Sequence, residues 1–325
     1  MTANRTQSID ISKFSRSIAR VAISELRGDR FFEKYKKPGI PVVLTGVFQP
    51  DTDWNIDYLS HLLSNQEFVL RYYGKARYQQ DKRQWTSIGS GVAPQTKPFL
   101  EYAELLQSGE AYEQDIYLAK CPIHDTPLIE TEAIEDYKTA MNQIGFTQPA
   151  STMNLWVGPG GHVESLHYDV MDGTLIQLHG SKRVVLFPRS QLSNLYPFPF
   201  YVHLWHGLRL RSWFSQVYPD RPDYEAFPKL KAAMQHRIEV ILNPGEVLYI
   251  PAGWWHEISA LGNEMVCSVN RFWRVYPTPR AVFFWGRCRG YLGSVCAVPH
   301  TIGSLIAALF RPDRQQRIRQ ILQML

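Results

Sequence analysis

The sequence has few cysteines, and none of them stands in a metal-binding or redox spacing. Four occur in 325 residues, and no two form a Cys-x-x-Cys pair: Cys121, Cys267, Cys288 and Cys296. This pattern excludes a dense disulfide framework and the usual cysteine zinc motifs, and it predicts free thiols in a reducing compartment. Residues 1–20 also lack the continuous apolar core of a secretory signal, so a cytoplasmic protein is expected.

The chain also lacks internal repeats and low-complexity segments, and the uncharged, apolar stretch near its C-terminal end is interrupted. Residues 291–310 carry no formal charge, but Pro299, His300 and two glycines lie among them. These interruptions argue against a membrane-spanning helix, and no stable membrane insertion is expected. An apolar content of 45% is typical of a globular protein whose core needs no disulfides.

Charge is unevenly distributed along the sequence. The whole chain carries a net charge of +5, but from residue 274 to the end there are eight arginines against Asp313 alone, or +7, which leaves −2 for residues 1–273. The basic character therefore belongs to the tail. Such a tail is compatible with RNA, an acidic protein or a membrane surface as a partner, and equally with a solvated rim around a packed helix.

Local patterns predict helices and isolated strands in the first half of the chain and a series of short strands in the second. Residues 57–63 and 98–107 have helical spacing, whereas residues 67–73 and 115–119 are typical of strands. From residue 154 onward, short apolar runs alternate with Gly/Pro turns. This texture favours an antiparallel sandwich or a jelly roll.

Two pairs of runs in the second half predict hairpins. Residues 175–178 and 183–187 are separated by a short polar turn, and residues 238–242 and 247–250 by Asn-Pro-Gly-Glu. Between them, residues 197–227 form a long insertion rich in proline and aromatic residues. An insertion of this length predicts a lid or a substrate-facing segment.

The feature that carries chemistry is His167-Tyr168-Asp169. Residues two apart on a strand point to the same face, so an imidazole and a carboxylate converge on one point. His256, which follows the turn Pro251-Ala252-Gly253 at the end of a strand, is the best candidate for a third ligand. Two histidines and one carboxylate leave coordination positions open, which is typical of iron(II) oxygenases.

The surrounding segments resemble a known family. These are GPGGHVESLHYDVMDGTLIQLHGSKRVVLFP (158–188) and NPGEVLYIPAGWWHEISALGNEMVCSVN (243–270). Together with PVVLTGVF (41–48), they are similar to JmjC-type (cupin-like) 2-oxoglutarate-dependent hydroxylases. The resemblance implies a mainly β fold with flanking helices, whose core is a double-stranded β-helix (a jelly roll).

The resemblance also suggests how the chain is organised. It implies an N-terminal extension over residues 1–29, an oxygenase domain over 30–280, and a basic, helical C-terminal segment over 281–325. In this family such helices dimerise, so a homodimer through the C-terminal segment is expected. Ile318, Ile321, Leu322 and Leu325 lie at helical spacing and favour the same expectation.

Carried over to this sequence, the resemblance assigns roles to several residues. His167, Asp169 and His256 would hold Fe(II). Lys182 would pair with the distal carboxylate of 2-oxoglutarate, since a buried lysine needs an anionic partner. The remaining cosubstrate contacts would come from Tyr117, Asn270, Ser165 and Thr174.

Two positions depart from the family pattern and bear on the pocket. Glu164 stands where relatives carry a hydroxyl residue, so Ser165 would have to supply that group. Gly173 stands where relatives carry asparagine, and Thr174 is the nearest replacement. The substrate pocket is expected to include the following residues: Trp156, Glu164, Gln177 and Trp255.

The favoured function is therefore an Fe(II)- and 2-oxoglutarate-dependent dioxygenase that uses O2 to hydroxylate a C–H bond on a protein or peptide side chain. A modified tRNA nucleoside or a small molecule are alternative substrates. A different class of function is a cupin that binds metal or ligand without turnover, which Glu164 and Gly173 favour. A sugar-isomerase-type cupin with another divalent metal is a third hypothesis, but it has no use for Lys182.

Overall fold

The computed structural model of the protein describes residues 17–49, 53–278 and 283–315, together with 317, 318 and 321. Most of the N-terminal extension expected over residues 1–29 lies outside these ranges. So do two of the four apolar residues expected at helical spacing, Leu322 and Leu325.

Thirteen strands form the core of the described part of the chain. Nine of them form one sheet in the order β1-β2-β11-β8-β13-β6-β5-β3-β4, and four form a second sheet in the order β10-β9-β12-β7. The bounds are β1 Arg20–Ala22, β2 Val42–Thr45, β3 Glu67–Tyr72, β4 Gln95–Pro98, β5 Ile116–Pro122, β6 Asn154–Pro159, β7 Val163–Tyr168, β8 Asp172–His179, β9 Lys182–Phe187, β10 Ile238–Leu242, β11 Val247–Ile250, β12 Trp255–Ala260 and β13 Met265–Trp273.

The two sheets pack face to face around an apolar interior. Leu175 on β8 and Leu248 on β11 of the large sheet share a buried cluster with Val184 on β9 and Val240 on β10 of the small sheet. Alternate residues of each strand point inward, so each sheet contributes one apolar face to this layer. The expected mainly β fold with flanking helices and a jelly-roll core is confirmed.

Both predicted hairpins are wrong, and the error shows how the jelly roll is wound. β8 pairs with β11 and β13 in the large sheet, whereas β9 pairs with β10 and β12 in the small one. β10 and β11 likewise lie in different sheets. A short Gly/Pro turn serves equally well as a hairpin or as a corner between two sheets, and the sequence pattern does not distinguish them.

Helices cover the outer face of the large sheet. Leu59, Tyr102 and Tyr137, one from each of three helices, are buried in one cluster with Leu118 on β5 and Leu155 on β6. The helix bounds are α1 Gly28–Phe31, α2 Ile56–Leu63, α3 Phe99–Gln107, α4 Glu110–Gln114, α5 Glu132–Gln143, α6 His203–His206, α7 Leu230–Met234 and α8 Trp285–Leu309.

The insertion between β9 and β10 returns to the strand that carries the HxD pair. The backbone N–H of Tyr168 donates to the carbonyl of Trp213 at 3.1 Å, and the N–H of Ser215 donates to the carbonyl of Leu166 at 2.9 Å. These bonds bring residues 211–214 to the edge of β7. Part of the insertion therefore lies beside the HxD pair, and its role as a lid or substrate-facing segment stays a prediction.

The C-terminal helix α8 contains Pro299 and presents two different faces. Small residues, Gly286, Gly290, Gly293 and Ala297, are buried against the body of the protein. The opposite side exposes large apolar side chains: Trp285, Tyr291, Leu292, Val295, Val298, Ile302, Ile306 and Leu309. Among the described helices, α8 alone has the length and apolar composition that a membrane span requires.

We predict that Gly158→Ala destabilises the protein. A Cβ on Gly158 in β6 would lie 1.8 Å from Cδ2 of the Tyr117 ring on β5, so the ring must move. Overpacking of this kind typically lowers the free energy of unfolding by about 1–3 kcal/mol. Chemical denaturation of both proteins measures the difference.

Gly303→Ala in α8 is the matched control, because no heavy atom outside the adjacent part of its own helix lies within 4 Å of its Cβ position. Replacing a helical glycine with alanine at an open site typically raises the free energy of unfolding by about 0.5–1 kcal/mol. If Gly158→Ala were no more destabilising than the control, the close approach of β6 to Tyr117 would be refuted.

Candidate metal centre

Two neighbouring strands of the small sheet hold a cluster of potential metal ligands. His167 on β7 lies directly opposite His256 on β12, and Asp169 follows the end of β7. One ligand atom from each of the three lies within 4.8 Å of the others, and His256 Nε2 is 3.5 Å from Asp169 Oδ2. The pairing of β7 with β12 thus brings together residues 89 positions apart in the chain.

The outer nitrogens of both imidazoles are occupied by backbone acceptors. His167 Nδ1 lies 2.8 Å from the carbonyl oxygen of Ser165, and His256 Nδ1 lies 3.1 Å from that of Trp254. Since a carbonyl oxygen only accepts, each Nδ1 carries the proton and each Nε2 keeps its lone pair for a metal. Burial, and then the neighbouring His167, lower the pKa of His256 to about 4, which favours the neutral ligand form.

This donor set fits Fe(II). Two neutral imidazole nitrogens and one carboxylate on one side of the ion are the ligands of non-haem iron oxygenases, and the remaining positions stay open to a cosubstrate and O2. The ring of Phe214 stacks on His167 with the centroids 4.7 Å apart, which fixes the ring plane and covers it with an apolar surface.

A cavity of about 160 Å³ opens over the three ligands. This metal cavity is lined by the ligands and, among others, by Tyr117, Lys120, Trp156, His162, Glu164, Thr174, Lys182, Arg211, Trp213, Phe214 and Asn270. Apolar and aromatic walls with a few convergent polar groups are typical of a small-molecule site.

A bulge in β7 decides which side chains face the cavity. His256 pairs with His167, but Ile258 pairs with Glu164, so β7 has one residue more than β12 between these pairs. Glu164 and His167 therefore both line the cavity, whereas Ser165 does not. The Ser165 hydroxyl is buried without a hydrogen-bond partner, so the structure does not bring it to the predicted cosubstrate site.

Lys182 is a buried cation whose hydrogen-bond partners are uncharged. Its ammonium donates to Ser268 Oγ at 2.5 Å and to the Tyr117 hydroxyl at 3.3 Å. Burial lowers the pKa of Lys182 to about 8, although Cys267 and Glu164 partly offset the effect. A buried ammonium that contacts only hydroxyls fits the carboxylate of a bound molecule in the metal cavity.

The other predicted residues fall into two groups. Trp156 and Asn270 line the cavity and bond each other, since Trp156 Nε1 donates to Asn270 Oδ1 at 2.8 Å. Thr174 also lines it, but its hydroxyl already contacts Tyr137 and Trp273. Outside the cavity wall lie two more of them: Gln177, whose amide donates to the carbonyls of His179 and Gly180, and Trp255, which packs on Tyr168.

Sequence reasoning missed a buried pair beside Lys182. His162 Nδ1 lies 2.7 Å from Asp115 Oδ1, and the His162 ring stacks on Tyr117 with the centroids 3.8 Å apart. Its Nε2 atom is buried in the wall of the cavity without a partner. The only sequence signal was a histidine after a glycine turn, and nothing linked it to an aspartate 47 positions earlier.

Comparisons with known proteins identify the family. The cupin-like domain matches residues 28–278. Lysine-specific demethylase JMJ30 of Arabidopsis thaliana is 30% identical over 77% of the chain and 53% of its own length. Lysine-specific demethylase 8 of Xenopus tropicalis is 37% identical over 75% of the chain and 50% of its own length. The chain thus spans about half the length of these curated relatives.

A relative whose name describes a different activity is matched over more of its own length. The tRNA wybutosine-synthesizing protein 5 of Gallus gallus is 26% identical over 77% of the chain and 75% of its own length. Relatives with such different names share the domain, so the match by itself identifies the family and leaves the substrate open.

We predict that His167→Ala and Asp169→Ala each abolish stoichiometric iron binding while the fold is retained. Each change removes one of three ligands at the rim of the small sheet and leaves the apolar layers intact. Metal analysis after loading with Fe(II) should fall from about one iron per chain to almost none, with an unchanged circular dichroism spectrum. His61→Ala, an exposed change on α2, is the control. Full iron occupancy in either ligand variant would refute the assignment.

The fold, the ligand cluster and the family match agree with one another. Enzymes of this family use Fe(II), 2-oxoglutarate and O2, and the predicted cofactors are therefore confirmed at the level of the family. His167, Asp169 and His256 have the donor atoms for the metal, and Lys182 has the charge for the cosubstrate. The chain belongs to the cupin-like, JmjC-type family of Fe(II)- and 2-oxoglutarate-dependent oxygenases.

Proposed function

We propose that this protein hydroxylates a C–H bond of its substrate. The observation that carries the proposal is that the three ligands and the buried Lys182 line one cavity. A metal-binding cupin without this chemistry has no need of a buried ammonium in the same space, and burying one without an anion is costly.

The residues of the chain have separate tasks in this reaction. His167, Asp169 and His256 hold the metal, and Lys182 with Tyr117 orients the cosubstrate through its distal carboxylate. Bound Fe(II) with 2-oxoglutarate and O2 supplies the oxidation of a C–H bond, and succinate and CO2 are the coproducts.

Exclusion of water is the task of the aromatic wall. Trp213 and Phe214 come from the insertion, and Phe272 comes from β13 on the large sheet. An apolar wall keeps water from competing with the substrate for the reactive centre and strengthens the electrostatic contacts inside.

A protein or peptide side chain is the substrate class that we favour. The metal cavity has a volume of about 160 Å³, and the cosubstrate occupies part of it. What remains suits a single amino-acid side chain better than a modified nucleobase. A tRNA nucleoside stays the second candidate because of the similarity to the tRNA wybutosine-synthesizing protein and the arginines of the C-terminal segment; a small molecule is a third.

We further propose a cytoplasmic homodimer. The described cysteines are all free thiols, in keeping with a reducing compartment. The exposed apolar side chains of α8 would be covered if two copies packed through this helix.

We predict that the iron-loaded protein converts 2-oxoglutarate to succinate, at a low rate alone and faster with its substrate, whose product gains one oxygen atom. Mass spectrometry of candidate peptides, RNAs and metabolites after reaction measures both. Lys182→Ala should lower turnover at least about tenfold, because a charge-assisted contact to the cosubstrate is lost.

Two results would favour another class of function. Stoichiometric iron without any succinate formation would indicate a binding cupin. An activity on a sugar would indicate an isomerase if that activity needs no 2-oxoglutarate and is retained in Lys182→Ala.

We predict that binding of 2-oxoglutarate weakens as the pH rises through about 8. The pKa of Lys182 in the cosubstrate-free protein is about 8. Lys182 is therefore protonated and able to bind the carboxylate below this pH, and it loses the proton above it. The dissociation constant should rise by up to about tenfold per pH unit above 8. Calorimetric titration of the metal-loaded protein without oxygen, from about pH 7 to about pH 9.5, measures it.

Lys182→Arg is the matched variant, since a guanidinium keeps its proton over this range. Its affinity, even if weaker overall, should change less with pH than that of the natural protein. A flat profile for the natural protein would mean that Lys182 does not bind the cosubstrate.

A further inference from the structure

Three cationic side chains gather where the metal cavity opens to the surface. Lys120 and Arg211 line the metal cavity itself. Arg71 on β3 joins them in an adjoining groove, which all three side chains line. We refer to Arg71, Lys120 and Arg211 as the cationic cluster.

The cluster has no carboxylate partner among the residues that the structure describes. None of its three members forms a salt bridge there, and the one hydrogen bond from Arg211 goes to the carbonyl oxygen of Leu208 at 3.3 Å. Burial lowers the pKa of Lys120, and Arg211 and Arg71 lower it further. Asp169 and, at Arg211, Glu164 offset this repulsion only in part. Like charges held together without a paired anion favour the binding of an anionic ligand.

The backbone at Lys120 supports a specific role for this side chain. Lys120 has a φ of 58°, in the left-handed region that non-glycine residues rarely adopt. It lies where the register of β5 against β6 shifts, between Leu118 and Cys121. Such irregularities in a strand redirect a side chain, and here the lysine is directed into the cavity.

Two grooves extend the cluster to either side of the cavity mouth. The first, the arginine groove, has a volume of about 400 Å³ and is lined by Arg71, Arg209, Arg211 and Arg317, and by no Asp or Glu among the described residues. Arg317 also pairs with Asp313.

The second, the strand groove, has a volume of about 570 Å³ and runs along β3 and β5. Its carboxylates, Glu67 and Asp125, are accompanied by the whole cationic cluster. Because both grooves contain Arg71 and Arg211, a chain lying across the mouth would meet positive charge on each side.

The metal and cosubstrate do not use this charge. The positive charges of Fe(II) and Lys182 balance the negative charges of Asp169 and the 2-oxoglutarate dianion. The other charged residues in the cavity wall are Glu164, which is negative, and Lys120 and Arg211, which are positive. The surplus is positive, so it attracts an anionic substrate and repels a lysine or arginine side chain.

We propose that the substrate is an acidic peptide segment, which lies across the cationic cluster with its carboxylates on Arg71, Lys120 and Arg211. This inference rests on the proposed function and names its substrate class. It also distinguishes this chain from relatives named as lysine demethylases, whose substrate side chain is a cation.

A peptide fits these surfaces better than a nucleic acid does. Single-stranded RNA is usually held by exposed aromatic faces on which bases stack. Two tyrosines line the arginine groove: Tyr73 is buried with the Arg77 guanidinium 4.2 Å from its ring centroid, and the Tyr72 hydroxyl bonds Gln95. Phe68, which lines the strand groove, is also buried, so neither groove presents a fully exposed phenyl, phenol or indole ring among its described residues.

The test measures binding, not turnover. The full-length protein is held without oxygen with Fe(II) and 2-oxoglutarate, and four labelled probes are titrated by fluorescence anisotropy. The probes are a glutamate-rich peptide, its glutamine and lysine counterparts of equal length, and a single-stranded RNA oligonucleotide. We expect the glutamate peptide to bind at least about tenfold more tightly than the glutamine peptide, and the lysine peptide to bind weakest.

Variants locate the interaction. Arg71→Gln combined with Lys120→Gln should remove most of the preference for the glutamate peptide, and so should Arg211→Gln alone if the double variant does not fold. Arg274→Gln removes one positive charge, as Arg211→Gln does, but from an exposed site that lines none of these cavities, and the preference should be retained.

Three outcomes would overturn the proposal. These are equal binding of the glutamate and glutamine peptides, preference for the lysine peptide, or RNA binding that exceeds peptide binding and is lost in the same variants. Succinate formation by the natural protein tests the proposed function separately, so a failure of one is distinguishable from a failure of the other.

Discussion

The antiparallel pairing of β7 with β12 is the interaction on which the site depends. It places His167 opposite His256, and each imidazole bonds the backbone carbonyl two residues earlier in the chain and directs Nε2 toward Asp169. The bulge in the same pairing turns Glu164 inward and Ser165 outward. A one-residue change of register would therefore disperse the ligands and exchange the polar lining of the cavity at once.

The cavity also contains positive charges that form no salt bridge among the described residues. Lys182 contacts only hydroxyls, and the cationic cluster at the mouth forms no salt bridge among the described residues. Protein interiors tolerate such charges when a bound ligand of opposite charge pairs with them. The ammonium of Lys182, inside the cavity, suits the cosubstrate dianion. The cationic cluster at the mouth suits an acidic substrate, so the two anions would bind at different depths.

Much of the fold and of the metal site was predictable from sequence, because it depends on local patterns. Features that depend on contacts between distant parts of the chain were not. The HxD pair, the downstream His256 and Lys182 lie in local patterns, and alternation along a strand places the first two ligands. The hairpins were wrong because a turn does not specify which sheet the next strand joins. Arg211, Lys120 and the His162–Asp115 pair were missed because distant elements bring them together, through a strand irregularity or the returning insertion.

The most direct test is a crystal structure of the protein grown without oxygen with Fe(II) and 2-oxoglutarate. We predict iron bound by Nε2 of His167, Nε2 of His256 and the carboxylate of Asp169, and the distal carboxylate of 2-oxoglutarate on Lys182 and Tyr117. Iron held by other residues, or a cosubstrate bound away from Lys182, would contradict the account.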